Sequence, residues 1–252
     1  MKVTILILRF DPARARGKSW WQDYTVEVDR RDVVLSALHE ISDHQDSTLA
    51  YRYSCRGAIC GSCAVRINGV AALACKTRIE HAASNGRITL EPLANLPVLR
   101  DLVIDQEPFF REMRRTYPWL VEEHHRGVDE PLNMAAEMSR AEHDQFERSL
   151  YCIKCACCFS DCPRRLEEPR FSGPEACVDI YKHAWDVRDR TQHKRLKRAS
   201  KPGGVFDCHK HGNCVKVCPK DVRPMRAITL LQNRIKKELG YDEHTPGTRL
   251  SG

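Results

Sequence analysis

Four cysteines and a proline within residues 152–163 have the types and spacing for metal chemistry: Cys152, Cys155, Cys158, Cys162 and Pro163. Their pattern, C-x2-C-x2-C-x3-C-P, is the run that wraps an iron–sulfur cluster. One short loop can then present three thiolates to three corners of the same inorganic cube. A second run lies downstream in the same register: Cys208, His211, Cys214, Cys218 and Pro219, with histidine where the second cysteine belongs. One such run could be an accident, but two that share the terminal Cys-Pro form a strong signal. The chemistry that they offer is one-electron transfer.

In two-cluster ferredoxins the fourth cysteine of each run ligates the other cluster. On that rule Cys152, Cys155 and Cys158 take Cys218 and complete a 4Fe-4S site. Cys208 and Cys214 take Cys162, which leaves three thiolates and predicts a 3Fe-4S cluster. The alternative keeps the fourth iron and has His211 ligate it, as imidazole does in Rieske centres. Structural zinc is the competing use of paired cysteines, but seven cysteines interleaved in this register do not divide into zinc tetrahedra.

A second kind of motif stands earlier: Cys55, Cys60 and Cys63, then a distant Cys75. The C-x4-C-x2-C spacing with a remote fourth cysteine is the plant-type pattern for a 2Fe-2S cluster. Gly57 and Gly61 in this loop allow backbone conformations closed to other residues, so that amide N–H groups can approach the sulfurs. Of the thirteen cysteines, Cys157 and Cys177 are left outside the three ligand sets. Cys177 falls on a helix face with Ile180 and Ala184, where a thiol behaves as a small apolar group.

Thirteen cysteines in 252 residues would suit disulfides only in an oxidising compartment. The first ten residues lack the basic, apolar and small-residue regions of a secretory signal, and no Arg-rich, Ser-rich presequence precedes the first strand. A prokaryotic cytoplasm is therefore expected. The longest apolar runs are strand-sized, well below the roughly 18 residues that span a bilayer. The net charge of +7 is not gathered on an aromatic-bearing face, so nucleic acid is not an expected partner.

The elements that must position these cysteines follow from periodicity. Val3, Ile5 and Ile7 predict a well-buried strand, and Tyr24, Val26 and Val28 its hairpin partner across a turn at residues 11–18. Asp32 is placed to cap a helix with Val34, Ala37 or Leu38, and Ile41 on one face. Residues 64–67 and 87–90 read as short strands that bracket Cys75. This is the order of a small β-grasp domain. Two prolines in residues 91–97 mark a boundary, and the helical spacing of Leu99, Leu102 and Val103 starts a second domain near residue 105. Phe109, Phe110, Tyr117 and Trp119 read as core, and residues 124–138 as a polar surface connection. The residues 172–175 start a helix, Pro224 starts a last one with Ile228, Leu231 and Ile235 on a face, and Gly240 stops it. The tail from Tyr241 is expected to be poorly ordered. The fold class is α+β: an N-terminal β-grasp, plant-type 2Fe-2S ferredoxin domain over residues 1–104, then an all-α helical ferredoxin domain over residues 105–252.

This order of clusters resembles the iron–sulfur subunit of succinate dehydrogenase and fumarate reductase. Beyond the cysteines, the resemblance rests on Leu96-Pro97-Val98-Leu99-Arg100-Asp101-Leu102-Val103, the Gly173-Pro174 helix start, and Cys208-His209 with Val217-Cys218-Pro219-Lys220. It implies a subunit of a membrane-bound succinate:quinone oxidoreductase, or of a quinol:fumarate reductase working the other way, on the cytoplasmic face of a prokaryotic membrane. A partner flavoprotein holds FAD and does the dicarboxylate chemistry, so this chain carries no catalytic residue for it. A membrane-anchor cytochrome b subunit with haem b completes the quinone site. Pro163 and His209 match family positions beside the quinone. Where a quinone-contacting tryptophan is expected, this chain has Arg164-Arg165-Leu166-Glu167-Glu168, with Glu167 near its place. His211 stands where an apolar residue is common and joins the quinone-site candidates. A soluble ferredoxin-type reductase subunit is the remaining alternative.

Overall fold

The computed structural model describes residues 1–14, 17–121 and 138–240. In chain order the elements are β1 (Lys2–Arg9), β2 (Trp20–Glu27), α1 (Val34–His44), β3 (Ala64–Ile67), β4 (Val70–Leu73), α2 (Ile79–Ala82), β5 (Arg87–Glu91), β6 (Val98–Arg100) and β7 (Val103–Ile104). Then come α3 (Glu107–Arg114), α4 (Arg140–Leu150), α5 (Cys157–Ser160), α6 (Pro163–Glu167), α7 (Pro174–Trp185), α8 (Gln192–Ala199), a 3-10 turn at Val205–Asp207, α9 (Asn213–Lys216) and α10 (Pro224–Leu239). Most of the expected connection over residues 124–138, and the tail from Tyr241, lie outside the described residues.

The chain divides into two compact units that interleave along the sequence. The first comprises Met1–Phe110, Cys152–Cys162 and Asn213–Asp221; the second comprises Arg111–Tyr151, Pro163–Gly212 and Val222–Gly252. A single cut near residue 105 therefore does not describe the packing. Two short cysteine-bearing segments of the later chain condense with the N-terminal sheet, because their apolar residues, including Cys157, Phe159 and Val217, join its core.

The first unit is a mixed five-stranded sheet in the order β2-β1-β5-β3-β4. β1 pairs antiparallel with β2, Ile5 opposite Tyr24, and parallel with β5, Ile5 opposite Ile88. Val3, Ile5 and Ile7 are buried and the residues between them only partly so, which is a half-buried strand's period of two. α1 adds Val34, Leu35, Ala37, Leu38 and Ile41 to the same core. Asp32 does not cap this helix: Val33 is the N-cap, without a side-chain bond, and the Asp32 carboxylate accepts instead from the Asp29 N–H at 2.9 Å.

Leu99, Leu102 and Val103 do not form a helix; they lie in the β6–β7 hairpin. Tertiary hydrogen bonds override the helical spacing. Asp101 sits in the turn at φ +46°, nearly fully buried. Its carboxylate accepts from the Phe10 N–H (3.0 Å), the Ala50 N–H (2.8 Å) and the Arg9 Nε–H (2.8 Å). Arg9 in turn donates to Asp46 at 2.6 Å and to the Tyr24 hydroxyl. Burial opposes the charge on Asp46, but hydrogen bonds from Thr48, Tyr24 and Arg9 outweigh it and hold this carboxyl below its usual range.

The second unit is built on α7, which is buried along most of its length and packs against α4, α8 and α10. Gly173 precedes it at φ +97°, and Pro174 opens it, as expected. Ser139 and Glu142 form a capping box at the start of α4. Pro224 opens α10 and Gly240 closes it in the left-handed conformation. Of the four aromatics read as core, Phe109 is buried and Phe110 packs against the core. Tyr117 and Trp119 are instead half exposed. They stack edge to face on one another (5.5 Å between centroids), with Arg198 over the tyrosine ring. The carbonyls of Thr116, Tyr117 and Trp119 accept from the buried Arg195 guanidinium, itself paired with Asp189 at 2.7 Å.

Candidate iron–sulfur sites

The loop from Cys55 to Cys63 is irregular, and its backbone explains why. Arg56, Ala58 and Gly61 take φ values of +55°, +56° and +74°. Left-handed residues interleaved with ordinary ones turn successive N–H groups to one side and make an anion-binding nest. Each of the four sulfurs accepts a backbone N–H. Cys55 Sγ accepts from Gly57 (3.4 Å), Ile59 (3.3 Å) and Cys60 (3.2 Å). Cys75 Sγ accepts from Ala58 (3.3 Å), Cys60 Sγ from Cys55 (3.5 Å) and Cys63 Sγ from Cys75 (3.4 Å). Cys55 and Cys60 are exposed, while Cys63 and Cys75 are buried. Hydrogen bonds from Ser62 and then from the Cys55 N–H draw the Cys60 thiol down to about 6, whereas burial pushes Cys63 up to about 12. Four convergent sulfurs ringed by N–H donors fit a cluster of net negative charge, and a metal at Cys63 would replace the proton that burial retains there.

The two later runs share one backbone trace. In the first, Lys154 and Ala156, two and four residues after Cys152, have φ of +56° and +62°. In the second, Lys210 and Gly212, two and four residues after Cys208, have φ of +56° and +82°. The loops are thus repeats in conformation as well as in spacing, and His211 occupies in the second the place of Cys155 in the first. The Lys210 N–H donates to Cys208 Sγ at 3.4 Å.

Cys152, Cys155, Cys158 and Cys218 all belong to the first unit. So do Cys162 and Cys214, while Cys208 belongs to the second. Within the first unit, Asn213 donates to the Asp161 carbonyl at 3.0 Å, and Lys76 to the Pro219 carbonyl at 2.8 Å. Asn95 Nδ2 donates to the carbonyls of Ser160 (2.9 Å) and Cys162 (3.2 Å). These bonds fasten the two runs to each other and to the segments that follow β4 and β5. The first run also touches the Cys55 loop. A Cβ at Gly61 would lie 2.9 Å from Cys155 Cβ and 3.1 Å from the Ile153 carbonyl oxygen. Spacing alone could not reveal this approach, although Gly61 was singled out in the sequence.

Cys157 is fully buried, and its thiol hydrogen-bonds Cys155, which is drawn below its usual range chiefly by that bond. The spacing left Cys157 outside the three expected ligand sets, although it lies between Cys155 and Cys158 in the sequence. Cys177 is buried on α7, as expected. Pro163 opens α6. His209 and His211 are exposed and lie beside Glu167 of α6 within the second unit.

Residues 4–111 match the model of a 2Fe-2S iron-sulfur cluster binding domain, and residues 145–219 that of a 4Fe-4S dicluster domain. The fumarate reductase iron-sulfur subunit of Haemophilus influenzae is 31% identical over 95% of this chain and 94% of its own length. That of Mycobacterium tuberculosis is 38% identical over 90% of each chain. This chain belongs to the family of succinate dehydrogenase and fumarate reductase iron–sulfur subunits. The mitochondrial succinate dehydrogenase [ubiquinone] iron-sulfur subunit 1 of Oryza sativa is 34% identical over 91% of this chain and 80% of its own. The fold is also that of a chain in the Mycobacterium smegmatis Sdh1 complex, with a TM-score of 0.82 over 97% of this chain and 98% of that one, at 24% identity. The iron–sulfur subunit thus has a 2Fe-2S domain followed by a mostly helical 4Fe-4S dicluster domain. Among its described residues no helix is long and apolar enough to cross a membrane.

Proposed function

We propose that this subunit carries electrons, one at a time, between a flavin on a partner flavoprotein and a quinone at a membrane-anchor cytochrome b subunit. It would do so as a peripheral protein on the cytoplasmic face of a prokaryotic membrane. Cys55, Cys60, Cys63 and Cys75 hold a 2Fe-2S cluster; Cys152, Cys155, Cys158 and Cys218 a 4Fe-4S cluster; and Cys162, Cys208 and Cys214 a 3Fe-4S cluster. When bound, these clusters supply one-electron centres that let a two-electron flavin feed a quinone in single steps. The rest is positioning by the chain. The N–H groups around Cys55 and Cys75 favour added negative charge at those sulfurs, and Gly61 lets that loop press against Cys155. The contact at Gly61 is the observation that carries the reading, because it leaves no side chain between two ligand loops. FAD and haem b belong to the partners, and Pro163, His209 and His211 are the residues of this chain assigned to the quinone side.

Low-temperature EPR of the purified complex tests the assignment. The oxidised sample is expected to show a 3Fe-4S signal and the reduced sample a 2Fe-2S signal. Iron and labile sulfide should approach about nine and ten atoms per chain for these cluster types. Totals well short of these, with no oxidised signal, would overturn the ligand sets. Relatives named fumarate reductase and succinate dehydrogenase match this chain alike, and the ligand set serves either direction of turnover. Copurification of a flavoprotein and a haem-bearing membrane subunit is the expected result for either direction.

A further inference from the structure

Cys157 carries a thiol that none of the three ligand sets uses, and it is fully buried. It is the first residue of α5, directly after Ala156 at φ +62°. After that left-handed step, both the backbone N–H and the thiol of Cys157 donate to Cys155 Sγ. The second run differs at this place. Gly212 repeats the left-handed step, but His211 stands where Cys155 does and Asn213 where Cys157 does. Asn213 directs its side-chain donor to the Asp161 carbonyl at 3.0 Å. Only the first run therefore has a thiol donor and a sulfur acceptor at these matching places.

We infer that Cys157 is a positioning residue whose thiol donates to the Cys155 ligand sulfur and so raises the reduction potential of the 4Fe-4S cluster. This inference rests on the ligand set proposed above for that cluster. A thiolate bound to iron has no proton, so in the loaded protein the hydrogen of this S–H···S pair can come only from Cys157. The acceptor sulfur gains negative charge on reduction, and a hydrogen bond to a charged acceptor is the stronger one. A donor to a ligand sulfur therefore favours the reduced state. S–H is a weak donor, but Cys157 packs in the same core as Phe159 and Val217, where the low dielectric strengthens the bond.

The test is a redox titration of the intact, cluster-loaded protein, in the complex in which it purifies, followed by low-temperature EPR. Cys157→Ala removes the donor, and Cys157→Ser keeps a hydroxyl donor in its place. In Cys157→Ala the equilibrium constant for reduction of the 4Fe-4S cluster is expected to fall roughly fivefold, the size of one net hydrogen bond. That is a midpoint lower by about 40 mV, at about 59 mV per tenfold for one electron. Cys157→Ser should restore most of this shift, whereas a mere packing defect would not follow the donor. The 2Fe-2S and 3Fe-4S midpoints should stay at their parent values in both variants. A second readout uses the unmutated protein. Its reduced-minus-oxidised infrared spectrum across the 4Fe-4S midpoint should show an S–H stretch that moves to lower frequency on reduction. If Cys157→Ala holds no 4Fe-4S cluster, this band decides by itself. Any of three results overturns the inference alone: a Cys157→Ala midpoint at the parent value, equal shifts in both variants, or no S–H band that responds to reduction. A parent complex without a 4Fe-4S signal overturns the ligand set with it.

Discussion

Among the described residues, His183 on α7 has no hydrogen-bond partner for Nε2. Burial first, then the charges of Arg195 and Lys182, holds it down to about 4, against 6.5 for the free side chain. The unfolded chain therefore takes up this proton before the folded one does as pH falls. Stability from this residue is whole above about pH 6.5 and is lost between 6.5 and about 4. His183→Gln is expected to lower the sensitivity of the denaturation midpoint to pH across that window; an unchanged dependence would show that other groups set it. Asp46 acts lower on the scale. Its folded-state value is depressed, so its contribution is present above the ordinary carboxylate range and lost in stronger acid.

At the scale of elements, the close approach of the Cys55 loop to the Cys152 run depends on a glycine. Gly61 combines φ +74° with a would-be Cβ contact of 2.9 Å, whereas Gly86 has φ +72° with none of the described residues within 4 Å. Gly86→Ala therefore isolates the cost of the left-handed backbone, about 1–2 kcal/mol. Gly61→Ala adds overpacking against Cys155, a further ~1–3 kcal/mol. Chemical denaturation of the two variants should rank Gly61→Ala as the more damaging, with a lower yield of the reduced 2Fe-2S EPR signal. Equal losses would mean that the loop yields without strain. The β6–β7 hairpin teaches the converse lesson. Leu99, Leu102 and Val103 had helical spacing, yet three hydrogen bonds to the Asp101 carboxylate from Arg9, Phe10 and Ala50 dictated a turn.

For the molecule as a whole, the interleaved units predict how it tolerates dissection. Residues 1–110 contain the whole five-stranded sheet, but their core is completed by Cys157, Phe159 and Val217. Phe109 meets Phe159 edge to face at 5.5 Å. Asp161 anchors the same strip through Arg66 (3.3 Å) and the Ala71 N–H (3.0 Å). A fragment of residues 1–110 is expected to unfold without a sharp transition and to bind a hydrophobic dye. A cooperative transition at the parent's midpoint would contradict this.

The cysteine spacings by themselves determined the kinds of cluster loop and the order of the domains, because three thiolates on one cluster demand a short local run that leaves its pattern in the chain. Periodicity likewise determined β1, β3 and the faces of α1, α7 and α10, since each buries a regular stripe against one neighbour. Only the tertiary structure decided what depended on residues far apart in sequence: the condensation of residues 152–162 and 213–221 with the N-terminal sheet, the contact of Gly61 with Cys155, and the meeting of Glu167 with His209 and His211. Such contacts arise from packing between segments that share no local pattern, so no spacing within either partner records them.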